Sequence, residues 1–272
     1  MFNLFKKIIT LSDMQNIKFH ADDYGYSINI SQNILDCLKR ETIQEMSIMI
    51  DSDEKLLQKI KDMNLKNISL HLNLTSLASV GNTDNSKFLK QLTFFKLIFL
   101  KNSKKSICIE EISHQIEKYM RFFPDVKLHI DGHHHIQIIP WIFTFLRNNK
   151  DFKIASIRIP NEKVVFLSFS YLRNLTFYRN LLAVLILKLF TINLRQFSKR
   201  DFAGLLYSGI YTENNLNKHI SILAGRNVTT ELTFHPGTGL ESEKETFKDN
   251  HFKYVTSKNR LREFHLLMSR SK

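Results

Sequence analysis

Cysteine is nearly absent. Cys37 and Cys108 are the only two in 272 residues, with no paired spacing, which excludes a disulfide framework and a thiolate zinc site. Both are expected as buried small hydrophobes, and a reducing, cytosolic setting follows from their scarcity. Eight glycines and four prolines leave no room for a long disordered linker, and no repeat or low-complexity block occurs. No apolar run reaches the roughly 20 residues that span a bilayer. The longest, Leu181–Leu187, is bounded by Lys188 and preceded by Arg179. A secretory signal is also missing, because the apolar run in residues 1–12 is short, interrupted and followed by no small-residue cleavage site. Acids are few as well: 26 Asp and Glu against 39 Lys and Arg give a net charge of +13. The basic residues are spread along the chain without the spacing of a nucleic-acid-binding motif, which excludes a nucleic-acid partner. The codon usage of an AT-rich genome is the preferred account of such a charge, and attraction to an anionic membrane face or an acidic polymer is the alternative.

What is present fits one α/β barrel. A 43% hydrophobic content suffices for a large core, and the length is ordinary for that fold. Phe2, Phe5, Ile8 and Ile9 recur at helical spacing around Lys6 and Lys7, so residues 1–15 read as an amphipathic extension, packed on the body or touching lipid. Residues 16–272 read as a single domain. Asn16–Asp22 alternates like a strand, and Ser27 caps a helix carrying Ile30, Ile34, Leu35 and Leu38. A second strand is expected over Thr42–Ile50, then a helix capped by Asp51 or Ser52 and running to Met63. A third strand spans Asn67–Leu72. Residues 76–106 form a long, partly helical connection of the kind that shapes or covers a site. A helix follows over Glu110–Phe122, then a short strand through Val126, Leu128 and Ile130. Another helix spans Ile139–Asn149, with Pro140 in its first turn, and another strand spans Phe152–Ile159. The apolar, basic segment 164–197 is expected to hold a buried helix, with a membrane-facing or dimer-forming surface as the second choice. A strand over Thr229–His235 and a helix over Lys258–Met268 close the chain. Strand and helix in alternation predict a parallel sheet wrapped by helices.

The chemistry gathers at strand ends. Four of the eleven histidines fall in His129-Ile130-Asp131-Gly132-His133-His134-His135, with an aspartate among them. If this backbone stays extended, His133 and His135 project to one side and His134 to the other. The alternatives are a metal site and a hydrogen-bonded turn without metal. Asp22-Asp23, His71 and His235 stand at other strand ends, and parallel strands would bring them to one rim. Aspartate with histidines is a ligand set for zinc or another divalent ion. Three protein ligands leave a position for water, a second carboxylate can take its proton, and a further histidine can serve the leaving group. That equips a site to hydrolyse an amide or ester.

The segments His20-Ala21-Asp22-Asp23-Tyr24-Gly25-Tyr26-Ser27, His71-Leu72-Asn73-Leu74-Thr75, His129–His135 and Glu231-Leu232-Thr233-Phe234-His235-Pro236-Gly237 resemble the YdjC-like carbohydrate deacetylases, in that family's order. Arg158-Ile159-Pro160-Asn161-Glu162 and Asp201-Phe202-Ala203-Gly204-Leu205 look most like its hopanoid-associated branch. The resemblance implies a distorted (β/α) barrel, TIM-barrel-like and of the polysaccharide deacetylase type. It implies metal-dependent removal of an N-acetyl group from an amino sugar, carried by an oligosaccharide, a polysaccharide precursor or a glycolipid. By motif position, Asp23, His71 and His133 would hold one divalent ion (Zn2+ or Mg2+), and Asp22 would be the base. His235 would act from the opposite side as acid or oxyanion partner, and Asp131, His135, Asn73 and Arg158 would contact ligands or substrate. Tyr24 stands where the family more commonly has Phe. The extension and segment 164–197 depart from the soluble members, and a lipid-linked or polymer-bound sugar handled at the inner membrane face would account for both. The alternatives are an esterase or phosphoester hydrolase on the same metal, or a membrane-associated carbohydrate-binding protein without activity.

Overall fold

The computed structural model describes residues 15–76, 84–226, 228–247 and 249–270, so the expected extension lies outside the described residues except at its last position. The described residues hold seven strands: β1 (Ile17–Tyr24), β2 (Glu45–Ile48), β3 (Ile68–Leu72), β4 (Leu128–Gly132), β5 (Ile154–Ile157), β6 (Asp201–Ala203) and β7 (Thr230–Phe234). They form one sheet in the order β5-β4-β3-β2-β1-β7-β6, and every neighbouring pair is parallel. The sheet curls into a half-barrel with β5 and β6 at its two edges, the barrel-like α/β fold expected from the alternation.

Among the described residues ten α-helices accompany it: α1 (Ile28–Lys39), α2 (Glu54–Asp62), α3 (Asp84–Lys90), α4 (Phe94–Ile98), α5 (Asn102–Phe122), α6 (Pro140–Asn148), α7 (Leu175–Thr191), α8 (Glu213–Ala224), α9 (Asp249–Val255) and α10 (Lys258–Met268). Ser27 caps α1 by accepting from the Ile30 amide. The cap of α2 is Asp53, which accepts from the Lys55 amide, rather than Asp51 or Ser52. α5 begins eight residues before Glu110, because its polar, mostly exposed start Asn102–Lys105 carries no apolar periodicity. β6 and α8 are not among the expected elements. Three residues are too few for alternation to register in β6. In α8 the Leu216, Ile220 and Leu223 spacing and the Thr212 cap were a readable signal.

The apolar faces of α1, α2, α5, α6 and α8 pack with the strands into one continuous core, in which Ile30, Leu35, Leu70, Ile112, Ile142 and Ile220 are buried. α7 departs from its expectation. Phe177, Val184 and Leu187 are buried, while Leu175, Tyr178, Leu182, Leu185 and Leu189 face solvent. Only one face of this helix has core to cover it. No helix among the described residues is long and apolar enough to cross a membrane.

Candidate active site

Because all strands run in parallel, their carboxyl ends share one rim. Asp22 and Asp23 stand near the end of β1, His71 near the end of β3 and Asp131 in β4; His133, Arg158 and His235 immediately follow β4, β5 and β7. In a regular strand, consecutive aspartates would face opposite ways. Here the β1–β2 register shifts between Ala21 and Tyr24, and Asp23 takes a left-handed backbone with φ 75°. A bulge of this kind re-aims a side chain, and both carboxylates turn into the site. Backbone extension also fails after β4. Residues His133–Ile138 form a 3-10 turn in which His134 and His135 are left-handed, with φ 54° and 56°. The expected alternation of these histidines is therefore absent. Histidine tolerates left-handed φ better than most residues, which suits it to this corner.

Three ligand-type groups converge. His133 Nδ1 lies 3.0 Å and His71 Nε2 3.4 Å from Asp23 Oδ1, and all three residues are buried. The other nitrogen of His71, Nδ1, meets Asp131 Oδ1 at 2.5 Å. A carboxylate on one imidazole nitrogen, with the other aimed at the ligand cluster, is the orientation of a metal-binding histidine. Burial opposes charge on His71, but the Asp131 carboxylate outweighs it and lifts the imidazole to about 10. A cation would replace that proton, so the donor set fits a divalent ion. Burial lowers His133, keeping it neutral, and the Asp23 carboxylate only partly opposes this. Burial works against charge on Asp23, yet His133 and Arg260 hold its carboxyl well below the usual range.

Asp22 stands beside this cluster. Arg158 Nη1 donates to both of its oxygens, at 3.0 and 2.9 Å, and also holds Asp131 through Nη2 at 3.0 Å and Glu231 through Nε at 2.5 Å. Burial disfavours the Asp22 charge, but Arg158 first and then His71 more than offset it, so the carboxyl is held below the usual range. It is ionised at any physiological pH. The Ser47 hydroxyl lies 2.6 Å from Asp131 Oδ2, 3.0 Å from Asp22 Oδ1 and 2.6 Å from His20 Nε2, tying the carboxylates to one another.

His235 Nε2 lies 3.9 Å from Asp22 Oδ2. Its amide donates to Glu263 at 2.5 Å, and its Nδ1 lies 3.4 Å from Ser208 Oγ, which donates to the same carboxylate at 2.9 Å. Three residues earlier on α10, Arg260 donates from Nη1 to Asp23 Oδ2 at 2.6 Å and from Nε to the Gly237 carbonyl at 2.9 Å. One face of the terminal helix thus props both Asp23 and His235. Arg260, Glu263, Ser47 and His20 are the residues that reading the sequence missed. His20 belongs to a motif that gives it no role, and the others are joined to the rim only by folding.

The remaining expected residues are placed as follows. Asn73 is turned into its own loop, where Oδ1 accepts from the Thr75 and Ser76 amides. His135 is buried edge-on to Phe202, and burial with nearby Arg158 lowers its imidazole to about 3. Glu162, inside the Arg158–Glu162 segment, accepts from the amides of Gly204, Leu205 and Leu206. Gly204 has φ 118°, and a Cβ there would lie 2.3 Å from the Thr233 carbonyl oxygen; only glycine lets this loop lie so close to β7.

A cavity of about 530 Å³ opens over the rim, lined by Asp22, Asp23, His71, His133 and His235 on one side and by Phe94, Phe95, Ala183, Ile186 and Leu187 on the other. A second lobe of about 550 Å³ shares His71 and carries Tyr26, Asp51, Asp53 and Glu243.

A family model described as YdjC-like protein matches residues 16–271. A carbohydrate deacetylase of Danio rerio is 26% identical over 152 residues, covering 52% of this chain and 49% of that protein. A chitooligosaccharide deacetylase of Citrobacter koseri is 23% identical over 152 residues, covering 54% of this chain and 60% of that protein. The chain thus spans about half the length of the curated relatives it matches. Among solved structures, a protein of Enterococcus faecalis V583 provisionally named for cellobiose-phosphate cleavage superposes with a TM-score of 0.59 at 15% identity, covering 93% of this chain and 90% of that one. That likeness shows the fold.

Proposed function

The chain belongs to the YdjC-like family, and from that premise we propose that it is a carbohydrate deacetylase, a hydrolase that removes the N-acetyl group from an acetylated amino sugar. Residues 16–272 would act as one catalytic domain. Asp23, His71 and His133 would hold a divalent ion, which supplies positive charge to polarise the acetyl carbonyl and acidify water. Asp22 accepts the proton of the attacking water. Arg158 and Ser47 hold that carboxylate ionised and aimed, so that it need not reorient during the step. Asp131 keeps the His71 tautomer whose Nε2 faces Asp23. His235, steadied by Glu263, gives its proton to the departing amine. The bond broken joins the acetyl carbon to nitrogen, and the products are acetate and the free amino sugar. The acidic second lobe, with Tyr26 in its wall, suits a sugar ring and an amine that becomes cationic on release.

The observation that carries this reading is the ionised Asp22 beside the Asp23–His71–His133 cluster, hydrogen-bonded to Arg158 and outside the ligand set. A purely structural metal site has no use for it. The test is acetate release from N-acetylglucosamine oligosaccharides with and without chelator, on native protein and on Asp22→Asn and His133→Ala. Chelation and either substitution should each cost about 10²-fold or more in kcat. Full-rate acetate release by a folded Asp22→Asn protein would refute the role of Asp22.

A further inference from the structure

The exposed face of α7 carries an apolar stripe, which Arg179 borders. Leu175, Tyr178, Leu182, Leu185, Leu189 and Ile192 follow one another at intervals of three and four, with Leu175 86% and Leu189 78% exposed. Phe95 and Phe99 extend the patch from α4, which packs on α7 through the edge-to-face Phe94–Phe190 pair at 5.8 Å. A helix that is apolar all round lacks a covering on one side, and a patch this continuous marks an interaction surface. The two stretches of chain that carry it hold charge of one sign. Between Glu162 and Asp201 every charged residue is Lys or Arg, and the same holds between Asp84 and Glu110. Two copies meeting through this face would bring cations against cations with no carboxylate from either stretch to neutralise them. An anionic bilayer supplies both the apolar depth and the opposite charge.

The patch is continuous with the reaction site. The inner face of α7 gives Ala183, Ile186 and Leu187 to the cavity that holds Asp22, Asp23 and His133, and α4 adds Phe94 and Phe95. The aliphatic side chains of α7 and the Phe94 and Phe95 rings make this lining largely apolar, which suits an alkyl chain. Arg179, where the cavity meets the outer stripe, is placed for an anionic headgroup or phosphate.

We infer that the α4–α7 face docks on an anionic membrane surface, and that the substrate is an N-acetylated amino sugar carried on a lipid, whose chain runs along the α7 wall into the bilayer. The substrate half rests on the deacetylase reading; the docking half does not. The test uses the full chain and a Leu182→Glu/Leu189→Glu variant. Both positions face solvent, so turnover of a soluble N-acetylglucosamine oligosaccharide should be unchanged and serves as the folding control. Cosedimentation with vesicles of phosphatidylglycerol mixed with phosphatidylcholine should exceed that with phosphatidylcholine alone by about tenfold or more, and the variant should lose about as much. Turnover of an N-acetylglucosaminyl lipid in the anionic vesicles should fall in parallel. Equal binding to both vesicle types, or a native dimer that the variant dissociates, overturns the docking surface. Equal kcat/KM on soluble and vesicle-borne sugar overturns the lipid-linked substrate and leaves the deacetylase. No acetate from either substrate, with vesicle binding intact, removes the deacetylase reading and leaves the docking surface.

Discussion

Replacing Arg260 by methionine tests whether the terminal helix holds the site together. Arg260 is 1% exposed. Its guanidinium is bonded to Asp23 Oδ2 at 2.6 Å and to the Gly237 carbonyl at 2.9 Å. Methionine keeps most of the length and fills most of the space, so little of the loss comes from a cavity. What is lost is the counter-charge of a carboxylate that is itself fully buried. Asp23 would retain only His133, which is neutral, and His71, whose charge is already engaged by Asp131. Removing one partner of a buried pair costs about 3–5 kcal/mol, and for a chain of this size that is roughly 6 to 20 °C in Tm. The assay is denaturant unfolding of Arg260→Met, Asp23→Asn and the double variant. The double variant should be more stable than the sum of the single losses predicts, because it leaves no charge stranded. Added zinc should raise the Tm of Arg260→Met more than that of the native protein, since the ion can take over the missing charge on Asp23. A loss under about 1 kcal/mol, within the range of surface pairs, together with strict additivity, would refute the reasoning.

Three further outcomes are expected. Burial pushes the Glu162 carboxyl up to about 7 against the pull of three amides. The folded chain therefore keeps a proton that the unfolded chain releases at ordinary carboxyl values, and stability falls as pH rises through that window by about 3 kcal/mol, then levels. Glu162→Gln should remove this slope in urea unfolding from pH 4 to pH 8 (about the span of the two ionisations); an unchanged slope would assign it elsewhere. Ser47→Ala takes one hydroxyl from Asp22, Asp131 and His20 together, and should cost about 1–3 kcal/mol while raising the pH at which activity is lost in acid; unaltered unfolding and pH profile would dismiss Ser47 as a link. In metal-free protein the His135 imidazole, lowered to about 3, should show no proton-NMR titration at neutral pH; a midpoint in the ordinary histidine range would show that the ring is not held among Arg158 and Phe202.

Local order was legible in the chain. Period-2 and period-3.6 apolar spacing located six of the seven strands, and their alternation with helices implied a parallel sheet before any contact was known. The gathering of Asp22, Asp23, His71, Asp131, His133 and His235 followed from that too, because parallel strands share a carboxyl edge. Boundaries were less legible: α5 starts earlier and β2 is shorter than expected, since a polar first turn or a strand end carries no periodicity.

Tertiary structure alone decided the directions in which these side chains point. The β1 bulge that turns Asp22 and Asp23 to the same side, and the left-handed turn at His134 and His135, defeat the alternation that a strand sequence implies. Arg260 and Glu263 reach the site across more than 200 residues from Asp23 and 28 from His235, and nothing in their own neighbourhood distinguishes them from ordinary charges of a surface helix. α7 shows the same division. Its apolar character was plain in the sequence, but a helix that is apolar all round can be buried or can lack a partner, and the choice depends on how much core there is to cover it. In this fold the core covers one face.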